Sequence, residues 1–153
     1  MNSKKDNYKY IEWMDAESMH QSTMDWLNNL RFIKDEQTFF EDLIDHYVWH
    51  LVDSKNYPKS KKIVDKLAQL KTNNTVLIEA LKLHRNELEV LVDGVDELDK
   101  EEQFKQSHRE FEAIYSEFME ENTQLKHRLF TLVKSFMKED KKNRLLEEKN
   151  ESD

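Results

Sequence analysis

Apolar residues recur along most of this chain at alternating steps of four and three. The first run is Met19, Thr23, Trp26, Leu30, Ile33, Gln37, Phe40, Ile44, Tyr47 and Leu51. A mean period near 3.5 lays such residues along one stripe of an α-helix and is the mark of a coiled-coil-like seam. A second run repeats the spacing through Ile63, Leu67, Leu70, Asn74, Leu77, Leu81, His84, Leu88, Leu91 and Val95. A third passes from Phe104 through His108, Phe111, Tyr115, Phe118, Asn122, Leu125, Leu129 and Leu132 to Phe136. The pattern predicts three long helices.

Their ends are marked by residues suited to them. Asp15 can N-cap the first helix, because its carboxylate accepts a hydrogen bond from a first-turn amide. That helix meets no breaker before Ser54-Lys55-Asn56-Tyr57-Pro58. Pro58 or Ser60 opens the second, since a proline in the opening turn forfeits no helical hydrogen bond. Gly94 closes it, and Asp99-Lys100-Glu101-Glu102 opens the third with acids at the positive end of the helix dipole. The expected fold is all-α: an up-down-up antiparallel bundle of three long helices, coiled-coil-like, each about 35 residues and about 50 Å long. Residues 1–14 are expected to form an N-terminal arm, 15–138 the helical bundle domain, and 139–153 a charged C-terminal overhang. The overhang should fray, since only Leu145 and Leu146 in it are apolar.

Three uncharged polar residues interrupt the seams. Counting outward from turns centred near residues 55 and 98 brings Gln37, Asn74 and Asn122 to one level. A hydrogen-bonded amide cluster that fixes helix register is the expected role, because a polar residue in an apolar seam discriminates against shifted pairings. A ligand or ion site is the alternative.

Composition narrows the picture. At 153 residues the chain is one domain's worth, and a single Gly, a single Pro and 37% charged residues suit exposed helix faces rather than sheet. No apolar run is long enough to span a bilayer, so no membrane partner is expected. The polar start Met1-Asn2-Ser3-Lys4-Lys5-Asp6-Asn7 lacks a signal peptide's apolar region. With no cysteine, disulfide and thiol chemistry are excluded and a cytoplasmic location is expected. The net charge of -8 disfavours nucleic acid as a partner. Charge is nonetheless uneven: segments 45–66 and 126–148 together carry +5, and segments 12–30 and 82–112 carry -9. Lys55, Lys59, Lys61, Lys62 and Lys66, with Trp49 and Tyr57 nearby, are candidates for holding an anionic partner.

The histidines are the next candidates for chemistry. His84, His108 and Glu112 fall near one level, with His108 and Glu112 sharing a helix face at i,i+4, so a metal-binding His/Glu bundle is an alternative function. His46 and His50 are also spaced i,i+4 but lack the glutamate of the His-Glu-x-x-His arrangement. The acids of Asp93-Gly94-Val95-Asp96-Glu97-Leu98-Asp99 miss the EF-hand positions. No Gly-rich phosphate loop and no Gly-x-Ser-x-Gly elbow is present. The expectation is therefore a non-enzymatic protein without a cofactor.

A second apolar stripe lies outside the seams. Phe32 and Phe39 are seven residues apart in the first helix, as are Val76, Leu83 and Val90 in the second. These five residues are the interface candidates: they are expected to flank one apolar groove through which the chain binds itself, as a homodimer, or a protein partner.

Three stretches carry a family likeness. Trp26-Leu27-Asn28-Asn29-Leu30-Arg31-Phe32-Ile33-Lys34-Asp35-Glu36, the pair Asn73-Asn74, and His108-Arg109-Glu110-Phe111-Glu112-Ala113-Ile114-Tyr115 resemble small uncharacterised bacterial three-helix bundle proteins over residues 20–135. The resemblance implies the three-helix fold and brings no activity, cofactor or site residue.

Overall fold

The structure, a computed structural model, describes residues 15–93 and 98–152, with side chains in the second segment from residue 100 onward. The expected arm over 1–14, the closing Gly94 and the seam residue Val95 lie outside the described residues. All four described elements are α-helices: α1 (Ala16–His46), α2 (Val48–Val52), α3 (Tyr57–Asp93) and α4 (Leu98–Glu151).

The start of α1 is the predicted one. Asp15 Oδ1 accepts the Ser18 amide at 2.8 Å, and the Met19 amide bonds the Asp15 carbonyl at 3.1 Å. Hydrogen bonding from the Ser18 side chain, and then from the Ser18 amide, holds the Asp15 carboxyl below its ordinary pKa. The expected unbroken helix to residue 54 is interrupted at Tyr47. Its amide is shared between the Leu43 and Ile44 carbonyls, both at 3.2 Å, and its backbone leaves the helical region at φ -104, ψ 21. No breaker in the sequence causes this; the Tyr47 ring packs on Phe136 with centroids 5.8 Å apart. After α2, the Asp53 carbonyl takes the Asn56 and Tyr57 amides, both at 2.9 Å, which turns the chain into α3 with Pro58 in its opening turn. The α4 helix does not end near 138. It continues to Glu151, with residues 137–152 exposed, so the segment expected to fray is helical.

Contacts divide the chain into two compact units. One contains the residues up to Lys34 and Asn73–Phe118; the other contains Asp35–Thr72 and the residues from Met119 onward. In the first, Met19, Leu27, Leu30, Leu81 and Leu88 are fully closed from solvent, and they share the interior with Thr23, Asn74, His84 and His108. Trp26, predicted for the seam, is half-buried, and its neighbour Leu27 takes the interior place. A helix packed on two neighbours needs a wider apolar face than a strict 3.5-residue stripe supplies. In the second unit the interior is Phe40, Leu70, Leu125, Leu129 and Phe136, joined by buried Gln37, Ser60 and Asn122.

The seam amides are buried as expected but do not form the hydrogen-bonded cluster. Asn74 Nδ2 donates to the Leu30 carbonyl at 3.0 Å, within the first unit. Among the described residues Asn74 Oδ1, both polar atoms of Gln37 and Asn122 Oδ1 have no hydrogen-bond partner.

Candidate functional site

Within the first unit the helices bring together a closed aromatic and imidazole cluster. His84, on α3, and His108, on α4, are 2% and 0% exposed, and His84 Nε2 stands 3.0 Å from His108 Nδ1. Trp26 of α1 stacks on His108 at 4.7 Å and on Tyr115 at 5.4 Å, and the Tyr115 hydroxyl accepts a hydrogen bond from Asn29 Nδ2 at 2.8 Å. Phe111 closes the His84 side at 4.8 Å. Burial lowers the His84 pKa from 6.5 to about 4. Burial, and then the neighbouring His84 charge, lower that of His108 to about 4. Both rings are therefore neutral near pH 7, and one nitrogen donates to the other across the gap. In either tautomer His108 Nε2 is buried with no partner among the described residues.

The sequence places these rings close to the level at which they meet. Counting from the turn near residue 98 sets His84 opposite Phe111 and Glu112; its ring does pack on Phe111, while its Nε2 meets His108. Glu112 is exposed. Of the three residues proposed for a metal, two meet by a hydrogen bond to each other and the third does not join them. Among the described residues no group of three or more His, Asp or Glu side chains is gathered so as to hold a metal ion. His20 pairs instead with Glu89 at 3.2 Å. His50 binds Asp140 at 2.6 Å while lying flat against Phe136 at 4.8 Å. His46, four residues before it, is exposed and packs edge-on against Tyr47.

The second apolar stripe faces solvent. In the first unit Phe32 is 65% exposed, and Val76, Leu83 and Val90 are 64%, 66% and 74% exposed. In the second unit Phe39 is 56% exposed, its ring tilted against Phe40 at 6.0 Å. Buried residues flank each of them along its helix, such as Leu77 beside Val76 and Leu81 near Leu83.

The second unit also holds an open groove of about 660 Å³ between α3 and α4. Lys59, Lys62 and Lys66, at steps of three and four, form its α3 side, and Arg128 and His127 stand on the α4 side. Two of the lysines predicted with them do not line it. Lys61 is turned to Asp65 at 2.8 Å, and Lys55 lies in the preceding turn. Trp49 and Tyr57, the aromatic residues expected near them, are 83% and 50% exposed. Arg128 was missed because its signal is on another helix: Arg128, Thr131 and Ser135 repeat the three-and-four step that the lysines show.

No family model, curated protein or solved structure matches this chain. Among the described residues no helix is long and apolar enough to cross a membrane.

Proposed function

We propose that this is a non-enzymatic interaction protein that binds an apolar helix, from a second copy or a protein partner, along the outer stripe of its first unit. The observation that carries the reading is the solvent exposure of Val76, Leu83 and Val90 at steps of seven on α3, with Phe32 exposed in the same unit. Burying one such side chain is worth about 1.5–3 kcal/mol, and apolar residues repeated at this spacing along one helix face are the pattern that a partner helix covers. Phe39 of the second unit extends the set of candidates.

The up-down-up, coiled-coil-like arrangement belongs to the same proposal. Within the first unit the pairs His20 with Glu89 and Leu30 with Asn74 climb α1 as they descend α3. The pairs Trp26 with His108 and Asn29 with Tyr115 climb α1 and α4 together. A non-enzymatic role is supported by the closure of the His84–His108 pair, which no substrate can reach in this state. A cytoplasmic setting, expected from the lack of cysteine, goes with the reading.

The test is sedimentation velocity over a rising concentration series at high salt, together with hydrogen exchange on α3. Association that protects the amides around Leu83, and is lost in Leu83→Asp while the circular dichroism spectrum stays the same, supports the proposal. A monomer at every concentration, whose stripe gains no protection when amphipathic apolar helices are added, overturns it.

A further inference from the structure

The groove of the second unit has a character that the apolar stripe lacks. Lys59, Lys62 and Lys66 follow one another at about one helical turn, about 10 Å from first to last at 1.5 Å per residue. Among the described residues Lys59, Lys62 and Arg128 make no ion pair, while Lys66 reaches Glu121 at 3.4 Å. The floor offers little: Ile63, Leu125 and Leu132 are already 7%, 2% and 8% exposed. A bound group gains little from apolar burial there, so its binding energy must come from the cationic rims.

A row of cations at helical spacing suits a row of anions at the same spacing, and the chain carries one. In the first unit's part of α4, Glu110 and Glu117 are exposed and seven residues apart, with Ile114 between them and 51% exposed. Seven residues of helix again span about 10 Å. Glu110 accepts only a 3.3 Å hydrogen bond from Gln106, and among the described residues Glu117 has no ion pair.

We propose that the groove takes the Glu110–Ile114–Glu117 face of a second copy of this chain, so that copies associate through unlike charges. Glu110 and Glu117 meet the two ends of the lysine row, and the aliphatic stems of the lysines cover Ile114. Each copy carries one groove and one acidic face. The contact is therefore heterologous, joining different surfaces of the two copies. It does not rest on the apolar stripe, and it differs from it in being sensitive to salt.

The experiment is sedimentation velocity of the full chain at about 0.05 M and about 0.5 M salt, which shortens the reach of exposed charges several-fold. It is run in the Leu83→Asp background, so that a contact through the stripe cannot contribute. Association at low salt that is lost at high salt is expected. Lys59→Glu with Lys62→Glu reverses the groove, and Glu110→Lys with Glu117→Lys reverses the face. Each variant alone is expected to be monomeric at low salt. An equal mixture is expected to associate again, because each variant supplies what the other's reversed surface fits. All four positions are exposed, and unchanged melting curves check the fold. A chain that stays monomeric at low salt overturns the proposal, as does association that survives either reversal. Folded variants that fail to associate when mixed overturn it too.

Discussion

His84 Nε2 lies 3.0 Å from His108 Nδ1, inside a cluster where neither ring meets solvent. The gap holds one proton between two nitrogens, donated from one side and accepted on the other. Two imidazolium rings would turn donors toward each other and place two like charges at that distance in a medium that solvates neither. The pair is compatible with the fold only while at least one ring is neutral.

Stability is therefore expected to depend on pH over a defined window. Above about pH 6.5 these rings hold no extra proton in either the folded or the unfolded chain, and they contribute no slope. Between 6.5 and about 4, the folded-state value for both rings, the unfolded chain takes up protons that the folded chain refuses. Stability falls as pH falls through that window, each ring adding a slope of at most about 1.4 kcal/mol per pH unit. Urea midpoints followed by circular dichroism from about pH 8 to about pH 4 test this. A midpoint unchanged down to about pH 5 would show that the rings are not held neutral by burial.

Removing the rings one at a time and together separates their coupling from their packing. His84→Leu leaves His108 with both ring nitrogens buried and unpaired, and His108→Leu strands His84 Nε2; each loss is expected to cost about 1–3 kcal/mol. His84→Leu with His108→Leu removes both polar demands at once. The double variant should be less destabilised than the sum of the singles, by about 1 kcal/mol or more, and its stability should be flat through the acid window. Additive losses, or an acid slope that persists in the double variant, would contradict the role given to the pair.

The seams were readable because burial on a helix follows local spacing. Met19, Leu30, Ile33, Phe40 and their counterparts in α3 and α4 are inside, where the period put them. What spacing does not carry is the registration of one helix against another. Levels counted from turn centres set His84 opposite Phe111 and Glu112; its ring does pack on Phe111, but its hydrogen-bond partner is His108, about one turn earlier. Neither does spacing reveal the break at Tyr47, where no breaker stands in the sequence and the ring packs among His46, His50 and Phe136. The groove was half legible for the same reason. Its lysines lie on one helix and could be seen as a row, while Arg128 joins them only through tertiary structure.

The cap of α1 gives a smaller and local prediction. Asp15 Oδ1 accepts the Ser18 amide at 2.8 Å, and Asp15→Ala leaves that amide to water. A loss of about 1 kcal/mol is expected, with Asp15→Asn retaining most of the stability because its amide oxygen accepts the same bond. The folded-state pKa lies below the ordinary 3.8. The charge-dependent part of the contribution is therefore complete above that value and is lost only as pH falls through the lowered one, well below the histidine window. Equal losses for the alanine and asparagine variants would count against a capping role.

Gln37 makes the sharpest prediction about stability, because it breaks a rule that its neighbours keep. It is 1% exposed, in the second unit, and among the described residues neither its Nε2 nor its Oε1 has a hydrogen-bond partner. Asn74 differs, since its Nδ2 is committed to the Leu30 carbonyl at 3.0 Å. Replacing a stranded amide by an apolar side chain of similar length removes the desolvation penalty and leaves no cavity. Gln37→Met is expected to stabilise the chain by about 1–3 kcal/mol, raising the melting temperature by several degrees. Asn74→Leu loses a bond while relieving one unpaired oxygen, so the two effects oppose and a change within about 1 kcal/mol is expected. The contrast is the test: both variants are melted under the same conditions, well above the histidine window. A Gln37→Met chain less stable than the parent would mean that the amide has a partner in solution, and it would restore the hydrogen-bonded register device expected from the seam.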